Sequence, residues 1–162
     1  MAFSDNDLHA IIMSLKVSGL ALAAFLAPGT LVGLWLGLGR SKLRDVVNLI
    51  CTLPLVVPPV VTGILLLKLL LVLGLPLAFT WWAAALASGI VAAPLLIRTV
   101  SAAAENTDAR LLTVAASLGA GRARSLATIV APLCWRGILG GALLFWARAM
   151  GEFGAVMVVA GN

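Results

Sequence analysis

The stretch WWAAALASGIVAAPLLI, residues 81–97, contains no charged side chain and is followed directly by Arg98. A helix that crosses the hydrocarbon core of a bilayer needs about 20 mainly apolar residues. The stretch therefore predicts a membrane-spanning helix. Trp81 and Trp82 at its start fit the interface between membrane and water, where tryptophan is enriched.

Three further apolar stretches flank this one. They cover about residues 17–38, 46–73 and 137–159, and a short uncharged connection at 74–80 leads into the third span. Together with 81–97 they give four predicted spans in a single transmembrane domain that occupies the whole chain. The expected fold class is all-α, a polytopic bundle of transmembrane helices.

The composition supports a membrane protein. Hydrophobic residues make up 62% of the chain and charged residues 10%, whereas soluble domains are roughly 45–50% apolar and about 25% charged. So few charges cannot cover the surface of a water-soluble domain, and disorder requires low hydrophobicity. The net charge of +5 resides in short segments between the apolar stretches, so we predict contacts with membrane lipid and none with nucleic acid.

The basic residues orient the predicted spans. They cluster at 40–44 and between 98 and 136, and the positive-inside rule places such clusters in the cytoplasm. The N-terminus, the 74–80 connection and the C-terminus then lie outside. We predict a multi-pass protein of the bacterial cytoplasmic (inner) membrane with its N-terminus outside.

The cytoplasmic segment at about 101–136 is too polar to span the membrane. Four apolar residues have helical spacing: Leu111, Leu112, Ala115 and Leu118. The glycines around Gly119 predict the end of that helix, and a second helical stretch, 122–130, is expected to end before Pro132. Such a helix–turn–helix offers small residues to a partner protein, and an ordinary amphipathic hairpin at the membrane surface is the alternative.

Three prolines interrupt the predicted second span: Pro54, Pro58 and Pro59. Each removes a backbone donor and kinks or breaks a helix. In lipid, the freed backbone groups are tolerated only where they are packed in protein or line a water-filled path. Thr62 and Gly63 allow close helix contact nearby. A packing kink and a broken segment beside a water-filled path both stay open.

Catalytic and nucleotide-binding motifs are absent from the sequence. It contains no Gly-x4-Gly-Lys-Ser/Thr phosphate loop, no His-Glu-x-x-His motif and no Gly-x-Ser-x-Gly elbow. The single histidine supplies acid–base catalysis poorly, and the two cysteines, Cys51 and Cys134, lack the spacing of a metal site. We expect no catalytic residue, no cofactor and no bound metal.

The cytoplasmic segment resembles the EAA loop of ABC importer permeases. The run Thr113-Val114-Ala115-Ala116-Ser117-Leu118-Gly119 is followed, ten residues beyond the glycine, by Ile129-Val130-Ala131-Pro132. The family pattern is Glu-Ala-Ala, three residues, Gly, nine residues, Ile, two residues, Pro, and the spacing matches from Ala115 onward. Thr113 stands where the family usually has glutamate, and Val114 replaces an alanine. In the family this segment docks on the ATPase subunit, and the missing glutamate affects one polar contact to that subunit. The helix–glycine–helix geometry is unaffected.

Three other motifs narrow the resemblance to permeases for molybdate, with sulfate and thiosulfate permeases as near relatives. They are Leu53-Pro54-Leu55-Val56-Val57-Pro58-Pro59-Val60-Val61-Thr62-Gly63, Phe79-Thr80-Trp81-Trp82, and Gly151-Glu152-Phe153-Gly154-Ala155. The ending Ala160-Gly161-Asn162 is shared with the sulfate group. The expected architecture is thus that of a type I ABC importer permease.

The resemblance implies partners and residue roles. Two copies of the permease form the pathway, an ABC ATPase subunit hydrolyses ATP, and a periplasmic or lipid-anchored binding protein delivers the oxyanion. Six residues are implied to couple the permease to the ATPase: Thr113, Ala115, Ala116, Gly119, Ile129 and Pro132. Four are implied to lie at the pathway or gate: Pro54, Pro58, Pro59 and Thr62.

Arg148 and Glu152 are the charges deep in the predicted fourth span. Four residues apart, they share a helix face and can pair. Charges within the membrane are costly and face the bundle interior, a cavity or each other. A mutually satisfied structural pair and direct contact with the oxyanion both stay open. We interpret the pair as structural or gating, without a tight binding site.

Two functional hypotheses follow. The first is the membrane subunit of an importer for molybdate, with a sulfate or thiosulfate permease as an alternative. The second is a membrane assembly or interaction protein, or an intramembrane enzyme, with a cytoplasmic docking hairpin. The resembling permeases continue with at least one more helix, so we expect the isolated 162-residue chain to restore uptake poorly.

Overall fold

The computed structural model describes residues 5–39, 41–74 and 76–152, and over these ranges the chain is helical without any strand. In order, the helices are α1 (Asp5–Gly37), α2 (Lys42–Val56), α3 (Pro59–Val72), α4 (Trp81–Glu105), α5 (Ala109–Ser117), α6 (Arg122–Ser125), a π-helical turn (Leu126–Val130), α7 (Ala131–Leu133) and α8 (Trp135–Met150). The predicted all-α class is confirmed.

Two of these helices are long and apolar enough to cross a membrane: α4, and α1 over Ile11–Gly37. Two bent pairs raise the number to four if each pair crosses as one span: α2 with α3, and residues 126–133 with α8. A bundle with four predicted spans fits this count. The boundaries of the spans stay predictions, and residues 153–159 of the fourth lie outside the described ranges.

Helix α4 forms the centre of the bundle, packed between α1 and α8. Its buried face is made of small residues, among them Ala83, Ala84, Ala87, Ser88, Gly89 and Ala92. Larger side chains fill the core nearby, with Leu96 and Val100 of α4 against Phe145 of α8. The Ser88 hydroxyl donates a hydrogen bond to the Ala84 carbonyl at 2.9 Å, so this buried polar group is satisfied within its own helix.

Three glycines on α1 permit its close approach to α4. Gly29, Gly33 and Gly37 recur at intervals of four residues, and a Cβ atom at any of them would collide with α4. Spacing of small residues by four is a common signature of helix pairs that pack closely in membranes. This interface was not predicted, although the spacing of the three glycines is visible in the sequence.

Replacing Gly33 with alanine is expected to destabilise the bundle. The new Cβ atom would lie 2.8 Å from both the Ile97 carbonyl oxygen and the Val100 Cβ atom, so the backbones must separate. Overpacking of this kind costs about 1–3 kcal/mol, measurable as a loss of unfolding free energy by tryptophan fluorescence in detergent micelles.

Gly19→Ala is the matched control for this substitution. Gly19 is on the same helix, and a Cβ atom added there would have no neighbour within 4 Å. Its replacement should leave stability unchanged or raise it by about 0.5–1 kcal/mol, because alanine is the better helix former. Equal losses for the two variants would contradict a close α1–α4 contact at Gly33.

The apolar stretch 46–73 does not form one continuous helix. Val57 and Pro58, which each precede a proline, have extended ψ angles of 133° and 135°, because a following proline disfavours the helical conformation. The chain bends by 113° between α2 and α3. The predicted break is confirmed at Pro58 and Pro59, whereas Pro54 lies inside α2 without ending it.

Helix α4 extends beyond the predicted limit at residue 97. It continues past Arg98 through an alanine-rich turn to Glu105, because the residues there are strong helix formers. The helix ends at Asn106, whose side-chain amide donates to the Ala102 carbonyl at 2.9 Å. Residues 101–105 of the predicted cytoplasmic segment therefore belong to the central helix.

The second helical stretch of that segment was wrongly predicted to end before Pro132. In the structure it runs on to Leu133 through the π-helical turn, where the Ala131 N–H donates to the Leu126 carbonyl. In a regular α-helix a proline ring clashes with the carbonyl four residues earlier. We interpret the wider turn as the means by which the helix passes Pro132. The chain then bends by 68° into α8.

Candidate functional site

Helices α5 and α6 form a hairpin, residues 108–125, which we call the α5–α6 hairpin. Asp108 caps the start of α5, its carboxylate accepting from the Arg110 N–H at 2.9 Å. At the end of α5 the Ala120 N–H donates to the Ala115 carbonyl at 2.9 Å and the Gly119 N–H to the Ala116 carbonyl at 3.0 Å. This pair of hydrogen bonds is the Schellman motif that ends helices.

Gly119 supplies the backbone conformation that the hairpin requires. Its φ is +79°, a left-handed conformation that costs other L-residues roughly 1–2 kcal/mol. Space does not explain the glycine, because nothing lies within 4 Å of the position a Cβ atom would take. The predicted end of the helix at this glycine is confirmed.

Gly119→Ala is expected to loosen the hairpin locally while leaving the bundle intact. The left-handed conformation should cost alanine roughly 1–2 kcal/mol, and Asn less because it tolerates this region better. Hydrogen exchange in the 109–125 peptide should accelerate about tenfold for Ala, as expected for a loss of that size.

Gly121→Ser provides the matched control for Gly119→Ala. Gly121 also has open space around it, but its carbonyl accepts from the Ser125 N–H at 3.0 Å at the start of α6. Serine is favoured at the start of a helix, so exchange should stay unchanged. Equal acceleration in the two variants would contradict the role given to φ at Gly119.

The exposed face of α5 is apolar. Leu111, Val114 and Leu118 are 42%, 56% and 81% exposed, and their spacing of three and four residues places them on one side of the helix. The sequence predicted one helical pattern that contains Leu111, Leu112, Ala115 and Leu118. In the structure Ala115 is buried and Leu112 packs against the core, so these two lie on the inner face of α5 and the other two on its exposed face.

The residues implied to couple the permease to an ATPase fall in two groups. Thr113, Ala116 and Gly119 are exposed on the α5–α6 hairpin, beside the buried Ala115. Ile129, half-buried, and Pro132, exposed, lie farther along on the π-helical turn and α7. The hairpin brings the first four together, and their role stays a prediction.

The hairpin is firmly connected to the central helices. Leu112 of α5 and Leu126 of the π-helical turn pack against the core that α4 and α8 form, and Val130 and Cys134 are buried within it. The Thr107 hydroxyl contacts the Cys134 thiol at 3.6 Å. Packed side chains therefore connect the α5–α6 hairpin to α4 and α8.

The proline break forms a corner on the periphery of the bundle. Pro58 is the N-cap of α3 and its carbonyl accepts from the Val61 and Thr62 N–H groups at 2.9 and 3.3 Å. The half-buried Pro59 begins α3, and Gly63 is buried nearby. Helix α2, which contains Pro54, has no buried residue. A role of this corner in a pathway or gate stays a prediction.

Arg148 and Glu152 form an ion pair at the end of α8. The Glu152 side chain is 2% exposed and that of Arg148 32%. Close by along α8, the Trp146 indole N–H donates to the Ser18 hydroxyl at 3.1 Å, which ties α8 to α1. The structure thus brings the two predicted charges together at the C-terminal end of α8, close to the hydrogen bond that ties this helix to α1.

Residues that could hold a metal ion do not cluster in the described ranges, where no group of three or more His, Cys, Asp or Glu side chains occurs. The features that stand out are a helical bundle, an exposed apolar hairpin connected to its core, and a buried ion pair. They define a multi-pass helical membrane protein with an exposed apolar surface on one hairpin.

The comparison with protein families identifies the class more closely. Residues 29–162 match the family described as "Binding-protein-dependent transport system inner membrane component". The chain belongs to this family. It is a helical, multi-pass transport subunit of the inner membrane.

Individual relatives cover the chain at substantial identity. The molybdenum transport system permease protein of Escherichia coli (strain K12) is 38% identical over 178 residues, which cover 100% of this chain and 76% of that protein. The corresponding protein of Azotobacter vinelandii is 35% identical over 173 residues, with the same coverage. A probable molybdenum ABC transporter permease protein of Haloferax volcanii is 38% identical over 155 residues, covering 92% of this chain and 56% of its own length.

Proposed function

We propose that this chain is the membrane-spanning permease subunit of an ATP-driven ABC importer for molybdate. The observation that carries the proposal is its similarity, over the whole chain, to the molybdenum permeases of Escherichia coli and Azotobacter vinelandii. The relatives described above are all named for molybdenum, which favours molybdate over the sulfate or thiosulfate alternative.

The exposed face of the α5–α6 hairpin is the proposed docking site for the ATPase subunit. Its three apolar side chains, Leu111, Val114 and Leu118, are left in water by the isolated chain, and their burial in a groove of the partner is favourable. Thr113, Ala116 and Gly119 border the contact. The ATPase hydrolyses ATP, and its movement reaches α4 and α8 through the packed residues behind the hairpin.

The remaining partners are a second copy of the permease and a binding protein. Helix α3 buries Gly63, Leu66 and Leu70, while Leu65 and Leu69 on other faces stay exposed. Helices α2 and α3 thus offer apolar surface to a second copy or to lipid. A periplasmic or lipid-anchored binding protein delivers the oxyanion to the outer face, on which the N-terminus lies.

The proline corner and the ion pair are the proposed gate elements. The bend at Pro58 and Pro59 leaves α2 and α3 free to move as separate units, with Thr62 in the first turn of α3 beside the break. Arg148 can exchange Glu152 for a passing oxyanion, because its side chain is partly exposed whereas that of Glu152 is buried. Such an exchange gives transient contact with the anion and no tight binding site.

Two experiments test the proposal. In a strain that lacks its own molybdate permease subunit, the chain, expressed with its ATPase and binding protein, should support uptake of labelled molybdate. We expect this uptake to be inhibited by unlabelled molybdate and tungstate and not by an equal concentration of sulfate. Uptake that does not depend on the chain would refute the proposal. Inhibition by sulfate would favour the alternative, a sulfate or thiosulfate permease.

The second experiment separates a transporter from a membrane assembly protein or an intramembrane enzyme. The ATPase should co-purify with the chain and be lost on Gly119→Pro, because proline fixes φ near −65° where the hairpin has +79°. If the chain folds but purifies without any ATPase, a membrane assembly protein or an intramembrane enzyme would be favoured.

A further inference from the structure

A polar cavity of about 600 Å³ lies where α1 and α4 end and where α2 begins. Among the residues that the structure describes, its charged lining residues are Arg44 and Asp45 of α2 and Glu105 of α4. Asn48, Ser101 and Thr107 add neutral polar groups to the wall. The cavity is separate from the exposed face of the α5–α6 hairpin, and neither the ion pair at Arg148 nor the proline corner lines it.

The charges around the cavity face it without pairing with one another. Across the described ranges the ion pair formed within 4.0 Å is Arg148–Glu152, so Arg44 stands farther than this from both carboxylates. The Arg44 guanidinium is held over the Trp35 ring at 5.0 Å, and Glu105 accepts from the Ser101 hydroxyl at 3.4 Å. Arg44 and Glu105 are thus each held by a neighbouring side chain on the wall of one space, and Asp45 adds a second carboxylate to it.

Helix ends add to the negative charge on one side. Both α1 and α4 end at the cavity, and neither has a basic residue in its last turn. The C-terminal end of a helix carries a partial negative charge and stabilises cations. The region around Glu105 therefore favours a positively charged group, while Arg44 favours a negatively charged one.

The cavity also lies where two candidate membrane-spanning helices end, which is the level at which lipid headgroups are expected. Helices α1 and α4 are the two that are long and apolar enough to cross a membrane, and the cavity is at the point where both end. Helix α2 leads away from it without a single buried residue. Its Val46, Leu49 and Leu53 are exposed, and they offer an apolar surface to acyl chains.

We propose that this cavity binds the headgroup of a zwitterionic aminophospholipid such as phosphatidylethanolamine. Arg44 binds the phosphate, Glu105 and Asp45 accept hydrogen bonds from the primary ammonium group, and the acyl chains follow the exposed face of α2. The proposal requires only that the chain lies in a membrane, and it is independent of the anion that the importer carries.

The same arrangement selects against other lipids. A phosphatidylglycerol headgroup brings a net negative charge to a wall with two carboxylates and no ammonium group to pair with them. Phosphatidylcholine has a quaternary ammonium group, which has no N–H to donate. The expected order of binding is phosphatidylethanolamine, then phosphatidylcholine, then phosphatidylglycerol.

Lipid retention measures this order directly. The full chain is reconstituted in nanodiscs with equal parts of the three lipids and transferred to detergent, and the retained lipid is quantified by mass spectrometry. We expect phosphatidylethanolamine to be enriched about fivefold over phosphatidylcholine, roughly 1 kcal/mol. Glu105→Gln should bring this ratio close to one, whereas Arg44→Gln, which removes the phosphate contact common to both lipids, should lower the retained amount of each.

Two matched variants control for general effects of charge. Lys42→Gln removes a cation from the same helix outside the cavity lining, and Asp108→Asn removes an anion while keeping a good helix cap. Both should retain the enrichment, and thermal unfolding confirms that all four variants fold. Competition with soluble phosphoethanolamine tests whether the headgroup alone suffices.

The outcomes are distinct. Loss of the enrichment in Glu105→Gln, loss of retained lipid in Arg44→Gln, and unchanged enrichment in the two controls support the site. No enrichment, preference for phosphatidylglycerol, or equal loss in the controls overturns it. Displacement of the lipid by micromolar phosphoethanolamine would show that the cavity takes a soluble phosphate ester, and the lipid assignment would then be wrong.

Discussion

Leu118→Asp is expected to abolish association of the chain with its ATPase subunit. The Leu118 side chain is 81% exposed, and burying a leucine in a partner contributes about 1.5–3 kcal/mol. Aspartate loses that contribution and adds the cost of placing a charge in an apolar groove. The dissociation constant should therefore rise at least about 100-fold, as measured by binding of the purified ATPase to the chain in nanodiscs.

Two further variants sharpen this result. Leu118→Met keeps an apolar side chain of similar volume and should retain binding, whereas Leu111→Asp, on the same face, should weaken it as Leu118→Asp does. The melting temperature should stay unchanged in the two Leu118 variants, because 81% of that side chain is exposed. Full ATPase binding by Leu118→Asp would show that docking takes place elsewhere.

Arg148→Gln should destabilise the bundle more than Glu152→Gln. Removal of Arg148 takes the ion-pair partner from a carboxylate that is 2% exposed, and breaking a buried pair in this way costs about 3–5 kcal/mol. Removal of Glu152 leaves an arginine that is 32% exposed and can reach water or headgroups with its long side chain. Thermal unfolding in nanodiscs measures both losses.

The double variant distinguishes the two roles left open for the pair. Arg148→Gln combined with Glu152→Gln should be more stable than Arg148→Gln alone, because no buried charge is left without its partner. If the pair is structural, molybdate uptake recovers together with stability. If Arg148 contacts the oxyanion, stability recovers and uptake does not. Arg98→Gln, at an exposed position outside the pair, controls for loss of an arginine, and equal stability of all variants would contradict the buried pairing.

The sequence predicted the features that depend on local chemistry. Apolar stretches predicted the helices, adjacent prolines predicted the break before α3, and Gly119 predicted the end of α5. The spacing of Arg148 and Glu152 predicted that they can pair. Each of these depends on backbone sterics or on helical periodicity within a few residues, so no knowledge of the rest of the fold was needed.

The features that the sequence left undetermined depend on contacts between distant segments. Leu112 and Leu118 are equally apolar, and only the packing of α5 against the core decides that one faces inward and the other outward. Arg98 was taken as the end of a span because it is charged, yet the helix passes through it and continues to Glu105. The cavity beside Arg44 required α1, α2 and α4 to meet, which no single stretch of sequence contains.

The packing of α4 has a consequence for how such permeases diverge. Of the most apolar 18-residue stretch of α4, 67% is buried inside the chain, against 28% for α1. The contacts of α4 are therefore mainly with other helices of the same chain. Substitutions that adapt the protein to a different ATPase, a different membrane or a different partner permease can accumulate on α2, α3 and α5 without changing the central helix α4. We therefore expect relatives with different partners to vary at these peripheral faces while the small residues of α4 stay small.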